Sequence, residues 1–188
     1  YNSIFLINKN EYSYFDKQIL VPFGEFVPLR NLFSFMEHIS GSVDFTVGTN
    51  ERNLHINNIK ILPVICYEIL FFWKLLNKSN INSNIIINIT NDSWFGDYSG
   101  PYQHFYFAKL RAAEFNKTLI RVSVNGISAG IDNFGRVIKF SKLNQQQNKI
   151  ISIPINSNNK QYIGLHKIIF FLIFSPLLVI LFITKKNA

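Results

Sequence analysis

Three stretches of the chain, 59–65, 84–89 and 119–124, are almost wholly apolar and rich in β-branched residues: IKILPVI, NIIINI and LIRVSV. A strand with one wet face alternates polar and apolar side chains. A near-continuous apolar run is instead the pattern of a strand covered on both faces, as in a parallel sheet lying between two layers. Two further strands are expected at 136–140 and 149–155, and 3–7 (SIFLI) is strand-like. Helices are expected over Glu68–Leu76 and Pro101–Asn116. The second opens on Gly100-Pro101 after the polar Asp97-Tyr98-Ser99, which places a proline in the first helical turn. Strands alternating with helices in this way predict an α/β layered domain, and no repeat of fixed period competes with that reading.

A different segment closes the chain. Residues 168–183, IIFFLIFSPLLVILFI, hold 14 apolar residues among 16, interrupted only by Ser175 and Pro176. As a helix this run would be about 24 Å long, short of a hydrocarbon core of about 30 Å. Extending it back to Ile163, with Lys167 snorkelling, makes up the length. No polar face recurs at helical spacing. The run therefore reads as a membrane span, with a buried core helix as the alternative. Lysines flank both ends (Lys160 and Lys167 before, Lys185 and Lys186 after), so charge asymmetry does not orient it. The expected division is a catalytic-type domain over 1–156, a linker over 157–165, the span over 166–184 and a basic tail over 185–188. A chain that opens on Tyr1 inside a strand-like run is expected to be the C-terminal part of a longer protein.

Composition narrows the function classes. Charged residues are 16% and hydrophobic residues 48%, which excludes intrinsic disorder. A single cysteine, Cys66, excludes an intramolecular disulfide framework and a cysteine-cluster zinc site, and the four histidines have no metal-ligand spacing. No metal or cofactor is expected. The net charge of +8 raises nucleic acid or an anionic membrane as partner. Its distribution decides between them. Residues 1–134 carry 11 basic and 11 acidic side chains, whereas 135–188 carry eight basic ones and no acid. A basic margin around an apolar run fits a lipid surface, and nucleic acid is not expected as a partner.

Three segments could carry chemistry. Cys66 ends the apolar strand 59–65 just where a helical run begins. A nucleophile there would lie at a sharp turn, with the backbone N–H of Tyr67 available to an oxyanion and the helix N-terminus favouring thiolate. Free cysteine is equally at home as a small buried hydrophobe. Lys17 and Glu25 lie eight residues apart across Gln18-Ile19-Leu20-Val21-Pro22-Phe23-Gly24. A buried ammonium held by a carboxylate can stabilise a tetrahedral oxyanion, although each residue alone would ordinarily be a solvated surface charge. Asn91-Asp92-Ser93-Trp94-Phe95-Gly96-Asp97 follows an apolar strand and reads either as a pocket-lining loop or as a capped turn over a buried tryptophan.

In this order along the chain, the motifs resemble the nitrilase superfamily and, within it, the apolipoprotein N-acyltransferases of the bacterial inner membrane. The resemblance runs from about Tyr14 to Ile138: Lys17 with VPFGEFVP, Val64-Ile65-Cys66-Tyr67-Glu68, NDSWFGD, Gly100-Pro101 with His104, Arg111-Ala112-Ala113-Glu114, and Arg121-Val122-Ser123-Val124-Asn125-Gly126-Ile127-Ser128. It implies part of a four-layer α-β-β-α sandwich with a Glu-Lys-Cys triad. Cys66 would be the nucleophile, Lys17 the oxyanion stabiliser and Glu25 an additional active-site carboxylate, while Tyr67, Glu68 and Trp94 would shape the substrate pocket. The implied reaction moves an acyl chain from a membrane phospholipid, through a Cys66 thioester, to the N-terminal amine of an apolipoprotein's diacylglyceryl-cysteine. The implied setting is the bacterial inner membrane, with the catalytic domain in the periplasm and further spans in the full-length protein.

The sequence departs from that pattern in one respect. The triad glutamate of the family lies upstream of the lysine motif, and Glu11, six residues before Lys17, lacks its context. A soluble nitrilase-type amidase and an inactive remnant without the glutamate are the alternative readings.

Overall fold

The computed structural model describes residues 1–8, 11–31, 43–155, 169 and 171–176. The chain begins with a hairpin of β1 (Ser3–Asn8) and β2 (Glu11–Asp16), paired antiparallel with Phe5 opposite Tyr14. A second hairpin joins β3 (Leu54–Ile56) to β4 (Ile59–Ile65), turning through Asn57 in the left-handed region, φ 51°. Asparagine tolerates that conformation better than other side chains, and a two-residue hairpin turn requires it. Next come β5 (Ile85–Asn91), helix α2 (Ser99–Phe115), β6 (Thr118–Val124), β7 (Ala129–Ile131) and β8 (Val137–Phe140), with the single helical turn α1 (Phe72–Leu75) lying between β4 and β5.

β3 to β8 form one six-stranded sheet in chain order. The pairs β4–β5 and β5–β6 are parallel; the outer pairs β3–β4, β6–β7 and β7–β8 are antiparallel. Both faces of its centre are buried, which is why the central strands read as largely apolar runs. Leu62, Val64, Ile86, Leu119 and Ile131 face Ala108, Ala112 and Phe115 of α2. Ile61, Ile65 and Ile85 point the opposite way, into a second cluster with Ile4 and Phe15 of the β1–β2 hairpin. The described residues thus build three layers: helix, six-stranded sheet, two-stranded sheet.

α2 ends at Asn116, whose N–H bonds the Ala112 and Ala113 carbonyls and whose left-handed backbone (φ 53°) turns the Lys117 N–H back onto the Ala112 carbonyl at 3.0 Å. Its bounds match the expected 101–116 closely. The expected helix over 68–76 is instead a 3₁₀ turn, Cys66–Leu70, broken at Phe71 (φ −94°, ψ 60°) before α1. Four aromatic residues lie within 67–73, and aromatics are only moderate helix formers. The expected strand 149–155 forms no ladder. Its residues pack on the sheet instead, with Ile151 beside Gly130, Ile153 in the second cluster and Thr118 Oγ1 donating to the Pro154 carbonyl. Pro154 has no N–H to give a neighbouring strand. The linker at 157–165 lies outside the described residues, as does most of the apolar run at 168–183; its residues 171–176 are helical and exposed. Among the described residues, no helix is long and apolar enough to cross a membrane.

Candidate active site

The parallel strands β4, β5 and β6 end on the same side of the sheet, where the chain turns away at Cys66, Asp92 and Asn125. At that edge lies a cavity of about 550 Å³. Lys17, Glu25, Cys66, Tyr67 and Trp94 all line it, with Val21, Phe45, Ile65, Ile89, Phe95 and Val124 forming an apolar wall. A cavity of this size and lining suits a mainly apolar ligand held by a few polar groups.

Cys66 is the first residue after β4 and has φ 50°. A side chain in the left-handed region costs about 1–2 kcal/mol unless the residue is glycine, and such strain persists only where the surroundings enforce it. Here it swings the thiol out of the strand line to the cavity. Cys66→Gly is therefore expected to be more stable than Cys66→Ala by about 1 kcal/mol, measurable as the difference between their thermal midpoints. Equal midpoints would mean that the turn is unstrained.

Lys17 is 1% exposed, and its Nζ lies 2.7 Å from Glu25 Oε2. Glu25 also accepts the Val21 N–H at 2.9 Å and the Asn2 side-chain amide at 2.9 Å. A carboxylate with three donors is an anchor, and what it anchors is the ammonium at the cavity wall. The Val21-Pro22-Phe23-Gly24 turn between them carries the carboxylate back to the lysine, so the eight-residue spacing is a local ion pair.

Trp94 is 69% exposed in the 3₁₀ turn Ser93–Phe95. It stands at the cavity rim; the alternative of a tryptophan buried under a capped turn is not what forms.

Glu68, expected at the pocket wall, does not line the cavity. It is fully buried, and its two oxygens accept five hydrogen bonds: from the N–H groups of Gln18 (2.9 Å), Ile19 (3.1 Å) and Ile65 (2.9 Å), and from two nitrogens of the Arg52 guanidinium (2.8 Å each). It thereby ties the residues next to Lys17 to the residue before Cys66. Arg52 is buried as well, donates to the Pro63 carbonyl and stacks over Phe15 at 4.5 Å. Its sequence surroundings, Glu51-Arg52-Asn53, carry no signal of this role.

A second buried group lies beneath Cys66. His104 of α2 approaches the Cys66 carbonyl with Nε2 at 3.2 Å and Asp92 Oδ1 with Nδ1 at 2.8 Å. Arg121 of β6 pairs with both oxygens of Asp92 at 3.0 and 2.7 Å, reaches His104 Nδ1 at 3.1 Å and donates to Asn88. Burial favours the neutral forms of Asp92 and Arg121. For Asp92, the His104 hydrogen bond and the Arg121 charge outweigh burial and bring its pKa down to about 2. Gly126 makes the close approach possible: a Cβ there would sit 2.0 Å from Asp92 Oδ2. The motifs containing Asp92, His104, Arg121 and Gly126 are all visible in sequence, but nothing in their spacing shows that they converge.

The acid behaviour follows from Asp92. Its carboxyl titrates near 3.8 when unfolded and about 2 when folded, so its stabilisation is complete above about pH 4 and is lost as pH falls through about 2. The contribution is on the order of 2 kcal/mol. The thermal midpoint of the wild type should fall between about pH 4 and pH 2 more steeply than that of Asp92→Asn. Parallel curves would remove the carboxylate from the stability balance.

Among the described residues, no cluster of histidine, cysteine and carboxylate side chains could hold a metal ion.

Comparison with known proteins agrees with this layout. The chain is 42% identical over 149 residues to the apolipoprotein N-acyltransferase of Rickettsia typhi, covering 77% of this chain and 30% of that protein. It is 41% identical over 153 residues to the protein of the same name from Allorhizobium ampelinum, covering 78% and 29%. It thus spans about 30% of the length of these curated relatives. In fold it is similar to a carbon–nitrogen hydrolase superfamily protein from Xanthomonas campestris (TM-score 0.53, 17% identity, 77% of this chain and 54% of that one). It is also similar to a glutamine-dependent NAD+ synthetase from Acinetobacter baumannii (TM-score 0.59, 15% identity, 78% and 27%). The carbon–nitrogen hydrolase family model matches residues 1–161. With a cysteine at a strained strand end, a buried lysine–glutamate pair facing the same cavity and this match over most of its length, the chain belongs to the carbon–nitrogen hydrolase family.

Proposed function

We propose that this chain carries the nucleophile and oxyanion site of an acyltransferase that moves a fatty acyl group from a membrane phospholipid to the N-terminal amine of an apolipoprotein. The observation that carries the reading is Cys66, held at φ 50° on a cavity whose wall is mainly apolar apart from the Lys17–Glu25 pair. The names of the relatives supply the acyl acceptor class.

In the first step the Cys66 sulfur bonds to the ester carbonyl carbon of the phospholipid. The carbonyl oxygen becomes an oxyanion facing the Lys17 ammonium and the Tyr67 N–H, and the ester C–O bond then breaks to release lysophospholipid. In the second step the acceptor amine attacks the thioester, the C–S bond breaks and an amide forms, the proton lost by the amine passing through the base to the Cys66 sulfur. The thiol proton passes to a general base and from there to the leaving alkoxide. Among the described residues, Glu25 is the only carboxylate lining the cavity, and its oxygens are already engaged by three donors, the Lys17 ammonium among them. The base is therefore assigned to the triad glutamate that the family places upstream of the lysine motif. Membrane attachment through the apolar run 166–184, with the catalytic domain on the periplasmic side of the bacterial inner membrane, belongs to the same proposal.

The test is to mix the full-length gene product with phospholipid vesicles in the absence of acceptor. One acyl chain should accumulate on Cys66 as a hydroxylamine-labile adduct, and a diacylglyceryl-cysteine peptide should then discharge it as an N-acyl product. Hydrolysis of small amides without phospholipid, and no acyl adduct, would replace this reading with an amidase.

A further inference from the structure

The hydrogen bond from His104 to Cys66 falls on the backbone carbonyl, not on the thiol. That carbonyl shares a peptide unit with the Tyr67 N–H. In a trans peptide the C=O and N–H point in opposite directions, so whatever fixes one aims the other; among the described residues no peptide is cis. His104 is 3% exposed and lies outside the cavity lining, so its hold on the carbonyl directs the Tyr67 N–H away from the buried side.

We propose that His104, oriented by Asp92 and Arg121, is a positioning residue that sets the plane of the Cys66–Tyr67 peptide and thereby presents the Tyr67 N–H as the oxyanion donor. The proposal rests on Cys66 being the acylated nucleophile.

Three features of the geometry support it. First, a carbonyl only accepts, so Nε2 carries the hydrogen. Nδ1 is left between a carboxylate oxygen at 2.8 Å and an Arg121 nitrogen at 3.1 Å, and it finds a partner whether or not it is protonated. The ring is thus locked with its donor on Cys66. Second, Cys66 at φ 50° is a strained residue that must be held from outside. Among the described residues, His104 is the side chain that contacts its carbonyl, while Glu68 holds the preceding N–H of Ile65. The two buried groups grip the turn from either side. Third, a peptide whose carbonyl accepts a hydrogen bond is a stronger donor at its N–H, so the same contact both aims and polarises the oxyanion donor.

The experiment separates two reactions of one thiol. Acylation of Cys66 by a p-nitrophenyl ester forms the C–S bond through a tetrahedral oxyanion before p-nitrophenolate leaves. Alkylation by iodoacetamide forms the C–S bond as iodide leaves, with no oxyanion. Both are followed on Cys66 by peptide mass spectrometry in the full-length gene product. His104→Phe keeps the ring's shape without the donor. It should slow the limiting rate of acylation on the order of 100-fold, with the half-saturating ester concentration little changed, and leave alkylation within about threefold of wild type.

The amide variants answer the same question should the phenylalanine protein not accumulate. The Gln N–H reaches the position of Nε2, while that of Asn stops at the position of Nδ1. His104→Gln should therefore exceed His104→Asn in acylation by about tenfold or more. The proposal is overturned if the His104 variants acylate as fast as wild type, if acylation and alkylation decline in parallel, or if Gln and Asn are equal. A wild-type protein whose Cys66 takes no acyl group from ester or phospholipid overturns the acyltransferase reading itself and this proposal with it.

Discussion

Acyl transfer is expected to vanish in Cys66→Ala and to fall by about a thousandfold or more in Lys17→Met, with the two variants failing in different ways. Without the sulfur no covalent intermediate exists, so Cys66→Ala should take no acyl chain from phospholipid. Lys17→Met keeps the thiol and much of the shape of the side chain but removes the ammonium that faces the oxyanion. It also leaves Glu25 without the counter-ion 2.7 Å away. Its thiol should still be alkylated by iodoacetamide while phospholipid acylation is lost. Intact mass before and after incubation with phospholipid checks both. Normal acylation in Lys17→Met would remove Lys17 from the mechanism.

The second large effect is on stability. Glu68→Ala is expected to destabilise the fold by about 3–5 kcal/mol, because it leaves the buried Arg52 guanidinium without its anion and orphans three backbone N–H groups. That is a large share of the total stability of a domain of this size. Activity should fall with it, since the carboxylate links Gln18 and Ile19, beside Lys17, to Ile65, beside Cys66. Glu68→Gln, which keeps the shape but turns an amide N–H toward donors, should lie between the two. Thermal unfolding and acylation kinetics measure this together. A Glu68→Ala protein as stable as wild type but with weakened substrate binding would return Glu68 to the pocket wall.

The two groups around the nucleophile divide along a physical line. By spacing alone Lys17 and Glu25 read equally as two solvated surface charges, and only the family resemblance set them side by side; in the fold the proline–glycine turn between them closes the pair locally. The Cys66 turn was legible because an apolar strand stops there. The Glu68–Arg52 contact joins residues 16 apart and the Glu68–Gln18 contact residues 50 apart, while Asp92 meets His104 and Arg121 across 12 and 29. The Glu68 contacts form only when the β1–β2 layer packs on the sheet, and the Asp92 contacts only when β5 and β6 align in register and α2 packs across them. For that reason a carboxylate next to the nucleophile could be read as a substrate contact, when the backbone turns it inward.

The sequence by itself determined the parallel centre of the sheet, the helix over the second half of the domain, the strand-end cysteine and the place of the basic charge. Each of these follows from periodicity, burial on two faces or local turn chemistry, and those act over a few residues. Tertiary structure decided which polar side chains are buried together. Glu68 went to Arg52 and to the backbone on both sides of the site, and His104 went to the carbonyl of Cys66. A buried charge takes whatever donors the packed layers bring to it, and that partner set is a property of the assembled sheet and helix, not of any stretch of chain.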